Sequence, residues 1–220
     1  MTVPSGWVLP GIAAILTLGP VFLQAPLVRF APMVAIYATA PLLLVALACV
    51  RHSNPGRQRL GLLLVGFAGS WLGGTLFWGW CREHPVWHLP IEAFALPLAI
   101  GGLGTRWRLG AWFYLSSLLG TALTDGMIAF TGLMPFWPPI VQASPTAAAT
   151  LLQNAARTLF QPSSLLLLAL AGAMILHLSW KLQAGDEARR VAAATLACTL
   201  LVDGVFLVVA LLAPQLSGLI

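Results

Sequence analysis

Charge is what this sequence has least of. Only 8% of its 220 residues are Asp, Glu, Lys or Arg, whereas a soluble protein carries about 25%. So few charges cannot clothe a water-soluble fold of this length, and the soluble classes are excluded. Cysteine is also scarce. Cys49, Cys81 and Cys198 stand far apart with no CxxC pair, so they read as small buried hydrophobes rather than a disulfide framework. There is no basic tail and no basic–aromatic strip, so nucleic acid is not expected as a partner. Walker, HExxH, GxSxG and paired aspartate-rich diphosphate motifs are all missing, which removes support for ATPases, metalloproteases and nucleophile-elbow hydrolases. Nothing in the chain names a cofactor. The stretch 1–11 has no basic residue before its apolar run, so no cleaved signal peptide is expected.

What the chain does have is apolar residues, 59% of the total. A membrane-crossing helix needs about 20 of them in a row. The apolar runs fall at about 7–23, 31–50, 60–80, 90–104, 109–130, 163–180 and 191–212. The expectation is an all-α, polytopic transmembrane helix bundle of about seven spans, forming a single domain over residues 1–220, with the lipid bilayer as its solvent. The fourth run is the shortest, and Pro97 interrupts it.

The net charge of +5 lies in short loops. With the N-terminus inside, the inner loops hold eight basic residues: Arg51, Arg57, Arg59, Arg106, Arg108, Lys181, Arg189 and Arg190. The outer loops hold three: Arg29, Arg82 and Arg157. The positive-inside rule therefore puts the N-terminus in and the C-terminus out. Tryptophans agree. Trp78, Trp80, Trp87 and Trp137 fall at the outer boundary, and Trp7, Trp107, Trp112 and Trp180 at the inner one, as indole belts at headgroup depth should.

The longest loop, 131–161, is expected outside. Pro135, Pro138 and Pro139 preclude a helix at its start. Ser144-Pro145 then reads as an N-cap followed by proline at the first helical position. Leu151, Leu152, Ala155, Ala156 and Leu159 share one face beyond it, and Thr150, Gln153, Asn154 and Arg157 another. This pattern fits an interfacial helix, or equally a lid on the bundle. Small residues Gly66, Ser70 and Gly74, with Gly69 and Gly73 beside them, mark a face of the third span for close helix packing. Thr121-Ala-Leu-Thr-Asp125-Gly126 echoes Thr199-Leu-Leu-Val-Asp203-Gly204, which a parallel repeat or chance would both explain.

Three carboxylates, Glu92, Asp125 and Asp203, lie inside apolar runs. An aspartate at a helix centre costs about 2.5–3.5 kcal/mol on insertion scales. Such groups face a bundle interior and mark a ligand or ion pathway, or else tie helices together by hydrogen bonds. For Glu92 there is a further reading. Pro90 fits a first helical position, which would make Glu92 an N-terminal cap. Arg29 lies toward the same outer side as Glu92 and Asp125 and is expected to neutralise one of them. Together Asp125, Asp203, Glu92 and Arg29 form the candidate substrate-binding set. The stretch containing Cys81, His84, His88 and Glu92 holds metal-ligand types, but its spacing matches no strong motif, and no metal site is expected.

Gln24-Ala-Pro-Leu-Val-Arg29, Ser70-Trp71-Leu72, Trp78-Gly79-Trp80, His88-Leu-Pro-Ile-Glu92 and Phe113-Tyr114-Leu115 resemble an uncharacterised cyanobacterial integral membrane family, the domain of unknown function 3120. That resemblance implies a plasma or thylakoid membrane and brings no activity. His88-Leu-Pro-Ile-Glu92 is also similar to the Pro-x-Glu-Glu motif of small lycopene cyclases, with Ala93 in place of the second acid. Three functions stay open: a binder or carrier of a small molecule or ion, an accessory or assembly protein of a photosynthetic or respiratory membrane-protein complex, and an enzyme acting on an isoprenoid or lipid.

Overall fold

The computed structural model describes residues 7–216. Residues 1–6, part of the stretch read for a signal peptide, lie outside the described residues. All regular structure among the described residues is helical. The long elements are α1 (Val8–Phe30), α3 (Thr39–Val50), α4 (Pro55–Leu76), α7 (Arg108–Phe130), α10 (Pro162–Gln183) and α11 (Glu187–Leu212). Shorter ones are α2 (Pro32–Tyr37), α5 (His88–Glu92), α6 (Leu96–Gly102), α8 (Trp137–Gln142) and α9 (Pro145–Thr158). A π-helical turn, Phe77–Cys81, continues α4.

Counting α2 with α3 and the π turn with α4, six helices are long and apolar enough to cross a membrane. The chain is an integral membrane protein. The expected fourth span departs from the pattern. Residues 88–102 form α5, a 3-10 turn (Ala93–Ala95) and α6, not one continuous helix. Proline explains the break. The ring of Pro97 has no room over the carbonyl of Ala93, four residues back, and has no N–H to give it. The helix restarts with Pro97 in its first turn, where the missing donor costs nothing.

Helix starts follow the local chemistry. The side chain of Asn54 accepts from the N–H groups of Gly56 and Arg57, and Pro55 opens α4. Asp186 caps α11 by accepting from the N–H of Arg189. In the long loop, Pro138 and Pro139 do not prevent α8. Both fall in its first turn, where no backbone donor is needed. Ser144 and Pro145 open α9 as the sequence predicts, although the serine side chain makes no capping bond. The apolar face of α9 packs against the far end of α11: Leu152, Ala155 and Ala156 are buried with Ala210. The side-chain amide of Gln153 donates to the carbonyl of Leu211. Thr150, Asn154 and Arg157 remain exposed.

The basic loops gather on one face. Arg59 pairs with Glu187 at 3.5 Å, and Arg108 with Asp186 at 2.5 Å. The starts of α4, α7 and α11 are thus held side by side, as expected if all three lie on one side of the membrane. Above them, Leu63, Phe67, Leu109, Phe113 and Val191 form a buried cluster joining α4, α7 and α11 to α1.

The small-residue stripe of α4 sets how closely its neighbours approach. A Cβ on Gly66 would sit 2.2 Å from the carbonyl oxygen of Gly110, and one on Gly110 would sit 2.3 Å from that of Leu62. Backbone touches backbone at this crossing, a contact only glycine allows. Gly66→Ala should therefore lower the thermal stability of the purified protein by about 1–3 kcal/mol, despite alanine's better helix propensity. Gly101→Ala, where no atom lies within 4 Å of the added carbon, should be neutral or slightly stabilising. Equal melting of the two variants would show that the crossing tolerates a methyl group.

Candidate functional site

The break between α5 and α6 is what brings Glu92 inward. A carbonyl at the end of a broken helix needs a donor, and the hydroxyl of Tyr114 on α7 gives it one at Glu92. The same hydroxyl accepts from the N–H of Ala95 at 3.2 Å. Tyr114 is thus a clamp across the break. Gly73 makes room for it: a Cβ there would lie 3.0 Å from Cα of Glu92. Gly69 similarly leaves space for the ring of Tyr114. The stripe predicted for close packing serves α5 as well as α7.

Glu92 is the last residue of α5, not its cap. Helix α5 begins at His88, two residues before Pro90, so no free N–H groups lie under the carboxylate. Its partners are side chains instead. The hydroxyl of Thr121 donates to Oε2 at 2.8 Å. Oε1 lies 3.3 Å from Nε2 of His88, one helical turn earlier. Nδ1 of the same ring is 3.0 Å from Oδ1 of Asp125. Only an imidazolium donates from both ring nitrogens, so this arrangement suits a histidine cation held between two carboxylates. Their side chains are nearly buried, 12% exposed for His88 and 14% for Asp125.

Aromatic rings enclose the imidazole. Phe77 stacks on it with ring centroids 4.2 Å apart. Trp78 and Trp137 stand 6.1 Å away, and they stack on each other at 5.6 Å. The π turn carries Phe77 and Trp78, and such turns recur at functional sites. Trp137 is fixed from the other side, its indole N–H donating to the carbonyl of Arg82 at 2.8 Å. Trp78 and Trp137 therefore wall a site, while Trp80 and Trp87 stay exposed as expected of an aromatic belt.

Asp203 on α11 completes the acidic set. The hydroxyl of Thr124 lies 2.7 Å from Oδ2 of Asp203 and 3.1 Å from the carbonyl of Gly120. A hydroxyl has one proton to give. It can donate to the carboxylate, or accept from the acid and donate to Gly120, so the geometry serves Asp203 in either form. Helices α7 and α11 cross close by, where a Cβ on Gly120 would meet Thr199 at 2.5 Å. The two halves of the sequence echo thus face each other.

Glu92, Asp125, Asp203 and His88 line one cavity of about 300 Å³ between α1, α4, α5, α7 and α11. Trp71, Trp78, Trp137, Phe67 and Phe113 supply apolar wall. Gln24 of α1 also lines it; its buried amide donates to the carbonyl of Trp71 and to Thr75, each at 2.6 Å. Arg29 does not join. It is exposed, its guanidinium lies 5.9 Å from the ring centre of Phe30, and it reaches none of the three acids. Five residues beyond Gln24, Arg29 points about 140° around the helix from it. The cation beside Glu92 and Asp125 is His88, which the predicted set lacks. Its signal was present: His88 and Glu92 are four residues apart, the spacing that puts two side chains on one helical face. His84 is exposed and apart from this group. Among the described residues, no three His, Cys, Asp or Glu side chains are arranged to hold a metal.

A family model described as "Protein of unknown function (DUF3120)" matches residues 13–211. The chain belongs to the DUF3120 family. No curated protein and no solved structure matches it. The match takes in every side chain of the cavity named above.

Removing His88 leaves two carboxylates facing each other without a cation. His88→Ala should cost about 3 kcal/mol of stability in a thermal melt, and adding Asp125→Asn should recover part of it. Arg29→Ala should melt like the parent protein. Unchanged melting of His88→Ala would show that the two ion pairs hold nothing together.

Proposed function

We propose that this DUF3120 protein binds, and carries within the membrane, a small organic cation in the cavity formed by Glu92, Asp125, Asp203 and His88. One observation carries the reading. Three carboxyl groups share one cavity with a single imidazole, which pairs with two of them, so acid outnumbers base there. Among the described residues no cation pairs with Asp203. A ligand bearing positive charge would meet that unbalanced acid. The walls suit the same ligand. Indole and phenyl faces attract ammonium groups by their negative π faces, with Trp the strongest. A largely apolar pocket with a few polar anchors is the usual form of a small-molecule site.

The cavity lies toward the end of the bundle opposite the three basic loops, next to the segments carrying Arg82 and Trp137. With the basic loops inside, this end faces outward, and the ligand would enter from the outer side. On the resemblance given above, we place the chain in the plasma or thylakoid membrane of a cyanobacterium.

The reading is tested by equilibrium binding of butylamine to the protein in detergent and in nanodiscs. Asp125→Asn and Asp203→Asn should each weaken binding about tenfold or more while the protein still elutes as a folded species. Arg29→Ala should bind as the parent does. Butylamine binding that is unaffected by either aspartate variant would overturn the site. Stoichiometric recovery of another membrane complex, together with no cation binding, would favour the accessory reading instead.

A further inference from the structure

A second cavity of about 230 Å³ lies between α7, α10 and α11, under α8 and α9. Its lining is almost entirely hydrocarbon, from residues such as Leu123, Met127, Ile140, Leu152, Leu168 and Ile175. It adjoins the acidic cavity. Thr124, Ile128, Trp137, Asp203 and Phe206 line both. Asp203 and its hydrogen bond to Thr124 therefore stand at the boundary, with acid and aromatic rings on one side and aliphatic wall on the other. The N–H of Trp137 is taken by Arg82, so that side chain offers the boundary only its ring.

We propose that the two cavities are one bipartite site for an amphiphilic amine, whose ammonium group sits at Asp203 and Asp125 and whose hydrocarbon chain fills the cavity under α8 and α9. The inference rests on the cation reading above and adds the tail. A small hydrophilic cation would leave the second cavity without a use. A fatty acid or other anionic amphiphile would bring its negative head against three carboxyl groups. The polar anchors are few and all lie at one end of the combined space, which is how a molecule with one charged end is oriented. Two sources share this chemistry, a free long-chain amine and the amine-bearing headgroup of a membrane lipid.

Gly172 gives a direct test. It lines the second cavity, and a Cβ there would meet Leu200 at an ordinary 3.8 Å. A larger side chain at this position fills the tail space without touching the acids. Binding of butylamine and dodecylamine is measured in phosphatidylcholine nanodiscs, with empty nanodiscs subtracted. Comparing variants in the same lipid cancels the partitioning of dodecylamine into the bilayer. Gly172→Phe should weaken dodecylamine by about tenfold or more, since each displaced CH2 loses its buried contacts, and should leave butylamine unchanged. Asp203→Asn should weaken both. Gly172→Leu, a gentler filling, should give the same selective loss if the phenylalanine variant does not fold.

Dodecylamine binding that ignores both Gly172 variants would overturn the bipartite site and leave the cation reading standing. Loss of butylamine binding in the parent protein would instead remove the cation reading itself. Tighter binding of dodecanoate than of dodecylamine would overturn the charge assignment of the head. Nanodiscs containing phosphatidylethanolamine separate the sources: competition with dodecylamine identifies a lipid headgroup, and its absence a free amine.

Discussion

Carboxyl groups in an apolar bundle must be met by donors or cations, because lipid offers neither. That requirement organises the centre of this protein. Glu92 is met by Thr121 and His88, Asp125 by His88, and Asp203 by Thr124. The Glu92–His88 pair lies within α5, and the other contacts join different helices: α5 to α7 and α7 to α11. The cavity exists where they converge, and the positions of α5, α7 and α11 around it follow from the need to converge.

Close packing and the polar cluster depend on each other. Gly66 and Gly110 let α4 and α7 touch by backbone, and Gly73 lets α5 lie against α4. Without that approach, Tyr114 would not reach the break after Glu92. The break itself comes from Pro97. A helix running unbroken through 88–102 would leave the carbonyl of Glu92 with its own helical partner, and Tyr114 would have nothing to clamp. One proline and a few glycines thus turn a broken apolar segment into a support for a buried acid.

Much of this was legible in the sequence. Six of the seven expected spans, the basic loops and the acids followed from composition, since a charge inside an apolar run stands out against its background. Arg29 misled because position along the chain reports depth but not direction around the helix. Gln24, which does point inward, is uncharged and gave no such signal. His88 was obscured because Pro90 reads as a first helical position, which leaves the histidine outside the helix, although its four-residue spacing to Glu92 was visible. The second cavity could not be read at all. It is made of leucine, alanine and phenylalanine side chains that look the same whether they face lipid, core or void.

The ion pairs of the basic face carry a consequence for the order in which the molecule is built. Both acidic partners, Asp186 and Glu187, sit at the start of α11, and so does the cap of that helix. Asp203 lies on the same helix. During synthesis from the N-terminus, His88, Glu92 and Asp125 emerge first and can pair before α11 exists. Helix α11 then arrives with two carboxylates that fasten it to α4 and α7 at one end and a third that closes the cavity further along. The site would be finished only once α11 has been made, so a chain not yet carrying that helix would hold the histidine cluster without presenting the pocket to a ligand.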